Sequence, residues 1–285
     1  MNFVLRASRI VNRFAGIALC AVMLSPCWSF GADKPLHTQF PFKLGVAVSN
    51  ANVAGSNPRE LEIIAREFNQ VVAENCMKPV VLQPREGEFH FDEADRFVDW
   101  ANAHGMKVMG HVLIWHEQLP GWFTKDENGN LCSRKVLLRR MHDHITTVVG
   151  HFKGRVAGWD VVNEAVQRDG SYRQSDFFKI LGTNFIDAAF HFAHKADPDA
   201  ELWYNDYGNE SPAKNTTIAA IVRRMKSKGL RVDGVGLQCH IRINEPDVST
   251  YEDAISTITA EGVKIAFTEL DMSVLPAAWN LTADI

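Results

Sequence analysis

One stretch of this sequence, Gly158–Ala165 (GWDVVNEA), is an apolar run of strand character that ends in a carboxylate, Glu164. A second stretch, Ile265–Asp271 (IAFTELD), has the same form and delivers Glu269. Each glutamate is therefore expected near the C-terminal end of a strand, which in an α/β barrel is the edge where chemistry is done. Together the two stretches indicate two carboxylates at one edge of such a fold.

Further strand-like runs recur along the chain, with helix-like segments between them. The predicted strands are 42–48, 70–73, 107–113, 156–162, 202–204, 232–237 and 264–267. Amphipathic stretches predict helices at 58–68, 92–104, 137–152, 176–194, 212–228 and 250–260. This alternation predicts an α/β fold in which helices cover a parallel sheet. No G-x-G-x-x-G sequence follows a strand, which argues against a dinucleotide-binding fold.

Two carboxylates that meet in one cleft are what glycoside hydrolysis requires. One protonates the leaving oxygen, and the other meets the anomeric carbon of the sugar. The composition is compatible with such an enzyme, because 285 residues with 46% hydrophobic and 22% charged residues are typical of a soluble globular protein. A net charge of −4 argues against nucleic acid or an anionic membrane as the main partner.

The N-terminal segment has the pattern of a secretory signal peptide. Arg6, Arg9 and Arg13 precede a short apolar stretch, and small residues precede a polar start at Asp33. We expect a signal peptide over 1–32, a catalytic barrel over 33–285, and a secreted or periplasmic location. Acylation of Cys27 is a weaker alternative, because Pro26 precedes it. After cleavage no membrane association is expected.

No disulfide framework or metal site is predicted. Cys76, Cys132 and Cys239 remain after signal cleavage, an odd number that favours buried structural thiols over a framework, although one bridge stays open. Their spacing matches no zinc site. The segment 126–130 begins like a calcium loop, but Leu137 occupies the position of the final ligand, so a β-turn is favoured. No cofactor is implied.

Four other strand ends carry polar and aromatic residues suited to a sugar site, in which aromatic faces stack on the sugar and polar groups bond its hydroxyls. They are Gly110–Trp122 (GHVLIWHEQLPGW), Phe68–Pro79 (FNQVVAENCMKP), Leu202–Gly208 (LWYNDYG) and Gly234–His240 (GVGLQCH). Each has a simpler alternative: a core tryptophan with satisfied histidines, a solvated loop, an Asn-Asp turn signal and a structural histidine, respectively.

In this order, the segments resemble glycoside hydrolase family 10, the endo-1,4-β-xylanases. The similarity runs from Phe42 to about Asp271. The motifs that carry it are Glu74–Lys78 (ENCMK), His111–His116 (HVLIWH), Trp159–Glu164 (WDVVNE), Gln238–His240 (QCH) and Thr268–Asp271 (TELD).

The resemblance implies a (β/α)8 TIM barrel that hydrolyses internal linkages of xylan or xylo-oligosaccharides with retention. It makes Glu164 the general acid/base and Glu269 the nucleophile. It places further residues around the substrate: Asn163 on the 2-hydroxyl at the cleavage subsite; His111, Trp115, Gln238 and His240 lining that subsite; Glu74, Asn75, Lys78 and Gln118 on the next sugar towards the non-reducing end; Tyr207 stacked on the leaving-group side; and Asp271 behind His240 and Glu269.

The predicted strands number seven, and the family's eighth strand and helix are expected to be missing at the C-terminus. An inactive or xylan-binding-only fragment is therefore one alternative, and a retaining β-glucanase or cellulase on the same barrel is another. Lys78 and Trp115, which the resemblance places near carbon 5 of the sugar, would disfavour a hydroxymethyl group. A monomer is expected.

Overall fold

The computed structural model describes residues 34–242 and 247–273 of the chain. Within these ranges the strands are β1 Gly45–Val48, β2 Gln70–Ala73, β3 Lys107–Ile114, β4 Gly158–Asn163, β5 Glu201–Asp206, β6 Gly234–Leu237, β7 His240–Arg242, β8 Lys264–Phe267 and β9 Asp271–Ser273. From Pro35 onward the described residues belong to one compact unit.

Helices connect the strands. They are α1 Asn50–Val53, α2 Pro58–Glu67, α3 Pro79–Leu82, α4 Asp92–Ala103, α5 Arg134–His151, α6 Asp176–Leu181, α7 Asn184–Ala196, α8 Pro212–Ser227 and α9 Val248–Thr259, with short 3-10 helices at Leu36–Gln39 and Gly121–Phe123. Several begin at a side-chain cap, as at Ser133, whose hydroxyl accepts from the amide of Val136 and so satisfies a free donor of α5.

Seven strands form one sheet in the order β1-β2-β3-β4-β5-β6-β8, and every neighbouring pair is parallel. Their C-terminal ends therefore lie along one edge, which brings the predicted site residues to the same side. Beyond that edge β7 pairs with β9, and this register sets His240 opposite Asp271.

The core lies between the sheet and its covering helices. Strand β4 is buried at all six positions, as expected of a parallel strand that is covered on both faces. Helices α5 and α7 pack against each other, and buried side chains from both, such as Ile145 and Phe190, join the apolar cluster. This packing fixes the strand that carries Glu164.

All seven predicted strands form, with ends shifted by up to three residues. The single helix predicted over 176–194 is wrong. It divides into α6 and α7 because Gly182 takes a φ of 57°, which glycine adopts at little cost and which ends the first helix. Such a break needs a specific φ and is not visible in apolar periodicity.

The thiols of Cys76, Cys132 and Cys239 are free and buried, as predicted, so the single-bridge alternative is wrong. Burial raises the pKa of Cys76 and Cys239 to about 12, which keeps both protonated and unreactive. The predicted signal peptide, 1–32, lies outside the described residues. Among the helices of 34–242 and 247–273, none has the length and apolar character to cross a membrane.

Candidate active site

Glu164 directly follows β4, where the chain makes an abrupt turn. Its φ is 57°, in the left-handed region that costs a non-glycine residue about 1–3 kcal/mol. Its amide donates to the carbonyl of Asn205 at 2.9 Å. The turn leaves the Glu164 side chain half-buried at the C-terminal edge of the sheet.

Glu269 lies two residues beyond β8 and is also half-buried. Its amide donates to the carbonyl of Gln238 at 3.1 Å, which ties it to the end of β6. Its Oε1 accepts a hydrogen bond from Asn205 Nδ2 at 2.8 Å, and its Oε2 lies 3.3 Å from His240 Nε2. Both carboxylate oxygens therefore have a partner, which suits a nucleophile that reacts in its ionised form.

Three amide side chains join the two glutamates. Gln238 Nε2 donates to Glu164 Oε1 at 3.1 Å and to Asn163 Oδ1 at 3.2 Å. Asn205 Nδ2 donates to the same Asn163 oxygen at 3.1 Å and to Glu269. The path between the carboxylates thus runs entirely through hydrogen bonds of buried amides. Asn163 also donates from Nδ2 to Glu164 Oε1 at 3.2 Å.

His240 lies between two carboxylates. Its Nδ1 is 2.6 Å from Asp271 Oδ2, and its Nε2 faces Glu269. Burial lowers the pKa of His240, but the hydrogen bond and charge of Asp271, together with Glu269, outweigh burial and raise it above the usual value. The protonated ring can donate to both carboxylates, and the β7–β9 register holds this arrangement.

His111 pairs with Asp160, the residue opposite it across β3 and β4. The two side chains are buried, and Nδ1 of His111 lies 2.9 Å from Oδ2 of Asp160. A carboxylate in this position favours the tautomer with hydrogen on Nδ1, which leaves Nε2 as an acceptor. A structural role for His111 and its predicted role in lining the cleavage subsite are therefore compatible, because Nδ1 anchors the ring on Asp160 while Nε2 stays available as an acceptor.

A second group of polar side chains surrounds Lys78. Its Nζ donates to Gln118 Oε1 at 2.6 Å and to Asn75 Oδ1 at 3.3 Å, and Gln118 Nε2 donates to the same Asn75 oxygen at 3.2 Å. The ammonium also lies 5.2 Å from the centroid of a Trp115 ring. Three of the four residues predicted to hold the next sugar are therefore joined around one cation.

Burial lowers the pKa of Lys78, although the charges of Glu269, Glu74 and Glu164 oppose the shift. The same charges place Lys78 within electrostatic reach of both candidate catalytic residues. Glu74 is exposed beyond β2 and adds negative charge near Lys78. The charges of the two candidate catalytic glutamates and of Glu74 therefore act together on Lys78.

Trp115 and His116 adjoin Glu164, and the three line one small cavity. Burial is the main cause that lowers the pKa of His116, and the charge of Arg173 adds to it. The Trp115 indole nitrogen is buried and has no hydrogen-bond partner within the described part of the chain. His116, which lies outside the set predicted to bind substrate, is thus a neutral neighbour of the candidate acid/base.

Tyr207 follows β5 and is held by Arg173. The guanidinium donates from Nη2 to the Tyr207 hydroxyl at 2.6 Å and from Nε to the carbonyl of Glu164 at 2.8 Å. The half-buried Tyr207 ring is therefore fixed relative to Glu164. Arg173 is a site residue that the sequence analysis missed.

Asn205 is the second missed residue, and the turn interpretation of its Asn-Asp pair is wrong. Asn205 is fully buried inside β5, which continues to Asp206, and it lies in register with Asn163. A Cβ on Gly236 would approach Asn205 Oδ1 to 2.2 Å, so this glycine makes room for the amide. The sequence signal for Asn205 was Gly236 in β6, but only the strand register shows that this glycine lies beside Asn205.

The segment 126–130, which begins like a calcium loop, forms the predicted turn. Asp126 Oδ1 accepts from the amides of Asn128 and Asn130 at 2.9 Å each, which forms a turn. His142 contacts its neighbour Asp143 at 3.0 Å on the exposed face of α5. In residues 34–242 and 247–273 no group of three His, Cys, Asp or Glu side chains is placed to hold a metal ion.

Comparison with known proteins gives a consistent family. Endo-1,4-β-xylanase A of Xylanibacter ruminicola is 46% identical over 235 residues, 82% of this chain and 64% of that protein. Exoglucanase XynX of Acetivibrio thermocellus is 43% identical over 241 residues, 81% of this chain and 22% of that protein. The chain thus spans less than two thirds of the length of these curated relatives.

A solved structure agrees with the sequence matches. The xylanase TsXylA of Thermoanaerobacterium saccharolyticum, described as intracellular, has a TM-score of 0.80 and 42% identity, and the match covers 85% of this chain and 78% of that one. This likeness confirms the predicted α/β TIM-barrel fold. The sequence model of glycosyl hydrolase family 10 matches residues 33–283, and the chain therefore belongs to glycosyl hydrolase family 10.

Proposed function

We propose that the chain hydrolyses internal β-1,4-xylosidic linkages of xylan with retention of configuration. The observation that carries this proposal is the pair Glu164 and Glu269, joined through Gln238, Asn163 and Asn205 at the end of two strands. Retaining glycosidases hold such a pair about 5–5.5 Å apart, which leaves no room for a water between them.

In the first step, an ionised oxygen of Glu269 forms a bond to the anomeric carbon of the sugar. The bond from that carbon to the leaving oxygen breaks, and Glu164 transfers its proton to that oxygen. The donors on Glu269, Asn205 Nδ2 and His240 Nε2, orient the attacking carboxylate. The product is a glycosyl-enzyme with Glu164 ionised.

In the second step, Glu164 removes a proton from water as the water oxygen attacks the anomeric carbon. The bond between the sugar and Glu269 breaks, and the enzyme returns to its starting state with Glu164 protonated. Two inversions at one carbon give net retention. Asn163, whose amide donates to Glu164, would bond the 2-hydroxyl of the same sugar, as the family resemblance implies.

The Lys78 group supports a five-carbon sugar next to the cleavage site. Lys78 and Trp115 lie against each other, and in the family's arrangement they crowd carbon 5, where glucose carries a hydroxymethyl group and xylose does not. Structures of mutants of the T. saccharolyticum xylanase in complex with xylotriose and with xylotetraose support the same substrate class.

A β-glucanase is the second candidate function. The observation in its favour is the relative named Exoglucanase XynX, which is nearly as similar to this chain as the xylanases are. Because both candidates use the same two carboxylates, the chemistry does not separate them. The volume beside Lys78 and Trp115 distinguishes them, because it decides whether the hydroxymethyl group of glucose fits.

The test is release of reducing sugar from xylan and from carboxymethyl cellulose by the purified protein, with Glu269→Ala in parallel. Activity on xylan that exceeds activity on cellulose and is lost in Glu269→Ala supports the proposal. Higher activity on cellulose would favour the glucanase. Binding of xylan without turnover by a soluble, folded protein would favour the binding-only alternative, and equal activity of both proteins would remove Glu269 as nucleophile.

We further propose that residues 1–32 direct export and are removed. The mature protein would then lie in the periplasm or medium without membrane attachment, and we propose that it is a monomer. The support is the order of basic, apolar and small residues in this segment. Family membership does not decide location, since the T. saccharolyticum xylanase is described as intracellular. N-terminal sequencing of the protein from the culture fractions, with light scattering for its mass, tests this; an intact Met1 in the cytoplasm would contradict it.

A further inference from the structure

The backbone on both sides of Glu164 is held at four points. Its amide donates to Asn205 O, and its carbonyl accepts from Arg173 Nε at 2.8 Å. The next amide, of Ala165, donates to the Tyr204 hydroxyl at 3.1 Å, and that of Val166 donates to an Asp206 carboxylate oxygen at 3.3 Å. A left-handed residue persists where the surrounding structure fixes it, and these bonds do so.

Tyr204 and Asp206 act on this turn as one unit. The Tyr204 hydroxyl donates to Asp206 Oδ2 at 2.5 Å while it accepts from Ala165. Burial, and then the charge of Asp206, raise the pKa of Tyr204 well above its usual value, so the hydroxyl keeps its proton. The second oxygen of Asp206 accepts from the amide of Tyr207 at 3.0 Å.

Lys214 completes the unit. Its Nζ lies 2.7 Å from Asp206 Oδ1, and both side chains have 0% exposure to solvent. It sits in the first turn of α8, where the helix dipole disfavours a cation, and burial adds a further cost. The ion pair and a Tyr207 ring centroid 4.0 Å away oppose that cost, although burial still lowers the pKa of Lys214 and raises the pKa of Asp206. Packing alone does not require such a pair, because apolar side chains of similar volume often fill the same space at no loss of stability.

We propose that Lys214, Asp206 and Tyr204 are positioning residues that hold the turn at Glu164, so that its carboxyl group points at the leaving oxygen. The inference rests on the proposed glycosidase function and deepens it. None of the three is among the residues proposed above to bind the sugar. Asp206 Oδ2 accepts from the amide of Val166 in the turn, and Asp206 Oδ1 pairs with Lys214 Nζ. The Tyr204 hydroxyl connects the carboxylate to the amide of Ala165, next to Glu164.

This role has a chemical signature that a purely structural role lacks. Protonation by Glu164 matters when the leaving group is a poor one, and matters little when the leaving group departs as a stable anion. A misplaced Glu164 therefore slows cleavage of a phenyl β-xylobioside much more than cleavage of a 2,4-dinitrophenyl β-xylobioside. The ratio kcat/KM reports this first step for both substrates, because it compares free enzyme with the transition state.

The test compares three variants of the full chain with the wild type on the two aryl xylobiosides. Tyr204→Phe removes one hydroxyl and keeps the ring, and Asp206→Asn removes the charge of the carboxylate. Gln83→Met is the matched control, since it removes another buried hydrogen bond, to His144 at 2.8 Å, which is not one of the bonds that hold the turn at Glu164. Thermal unfolding shows which variants fold.

We expect Tyr204→Phe and Asp206→Asn to lower kcat/KM for the phenyl substrate at least tenfold more than for the dinitrophenyl substrate. Gln83→Met should change the two substrates equally. If Asp206→Asn fails to fold, Tyr204→Phe decides the outcome, and Lys214→Met combined with Asp206→Asn replaces the charged pair by a neutral one.

Equal loss on both substrates in the folded Tyr204→Phe variant would overturn the inference and leave the proposed function intact. A wild type that cleaves neither substrate would instead overturn the proposed function, and the inference with it. A ratio between the substrates that changes in Lys214→Met and keeps its wild-type value in Lys214→Arg, which retains the positive charge, would support the assignment of Lys214. An unchanged ratio in Lys214→Met would remove Lys214 from the unit.

Discussion

Asn205 donates a hydrogen bond from its side-chain amide to Oε1 of Glu269 at 2.8 Å, although 64 residues separate the two in sequence. The bond crosses from β5 to the loop after β8. It gives the candidate nucleophile a fixed direction through a side chain that is fully buried, and Thr268 holds the far side of the same amide through a 2.7 Å hydrogen bond.

Removal of this amide should reduce catalysis with little effect on substrate binding. A hydrogen bond to a charged group contributes about 1.5–3 kcal/mol, so we expect Asn205→Ala to lower kcat on xylan about 10- to 150-fold. Steady-state kinetics measure this, with Asn102→Ala, an exposed asparagine that bonds Arg155 O, as the control. A kcat in Asn205→Ala equal to that of the wild type would show that the hydrogen bond from Asn205 does not contribute to catalysis by Glu269.

Gly236 should be as sensitive as Asn205, because it leaves the space that the amide occupies. The Cβ of Gly236→Ala would meet Asn205 Oδ1 at 2.2 Å and a Thr268 carbon at 2.7 Å, so these side chains must move. We expect a loss of about 1–3 kcal/mol in unfolding free energy together with reduced kcat.

Gly45→Ala is the matched strand control, since the nearest atom to its new Cβ lies at 3.4 Å. Chemical denaturation and xylan hydrolysis on both variants give the comparison. Similar stability and activity of the two variants would contradict the close approach at Gly236.

Lys78 should contribute to binding of the substrate more than to the chemical step. Its charged hydrogen bonds to Gln118 and Asn75 organise the group beside the cleavage site. We expect Lys78→Met to raise KM for xylan about 10-fold or more, from the loss of a charge-assisted bond, while kcat changes less. Kinetics on xylan measure both constants. A kcat loss at unchanged KM would place Lys78 in the chemical step instead.

The titration of His240 should depend on Asp271. Asp271 and Glu269 outweigh burial and raise the pKa of His240, so its ion pairs stabilise the fold fully below the unfolded value of about 6.5. That contribution is lost as the pH rises through the raised folded pKa. We expect Asp271→Asn to lower the pKa of His240 in an NMR titration of the ring, whereas Asp143→Asn, beside the exposed His142, leaves it in place.

His144 should make the protein less stable in acid. Burial lowers its pKa to about 4, and its Nδ1 lies 2.8 Å from Gln83 Oε1. Below pH 6.5 the His144 ring is protonated in the unfolded chain but stays neutral in the folded chain. The free energy of unfolding therefore falls as the pH drops from about 6.5 to about 4. The shift corresponds to on the order of 3 kcal/mol across that window.

Replacement of the ring tests this assignment. His144→Gln should flatten the slope of unfolding free energy between pH 6.5 and 4. His142→Gln, on the exposed face of the same helix, should keep the slope. Urea denaturation at several pH values gives the comparison, and the same slope in both variants would assign the acid sensitivity to other groups.

Much of the fold follows from local pattern. Every predicted strand forms, because apolar runs between amphipathic segments have few other ways to bury their side chains. The break at Gly182 was missed because apolar periodicity continues across it, and a single positive φ decides where α6 ends. The polar strand ends were visible as well, since carboxylates and amides directly after buried runs stand out from the composition around them.

The sequence by itself determined which residue types reach the C-terminal edge of the sheet, including Glu164 and Glu269, because each follows its own strand. The tertiary structure alone decided which of them form hydrogen bonds with one another. His111 meets Asp160 because the β3–β4 register sets them opposite one another. Asn205 reaches Glu269 past the neighbouring strand β6, where Gly236 leaves space for its amide. Register and space between strands arise from contacts between distant segments, which no local pattern encodes.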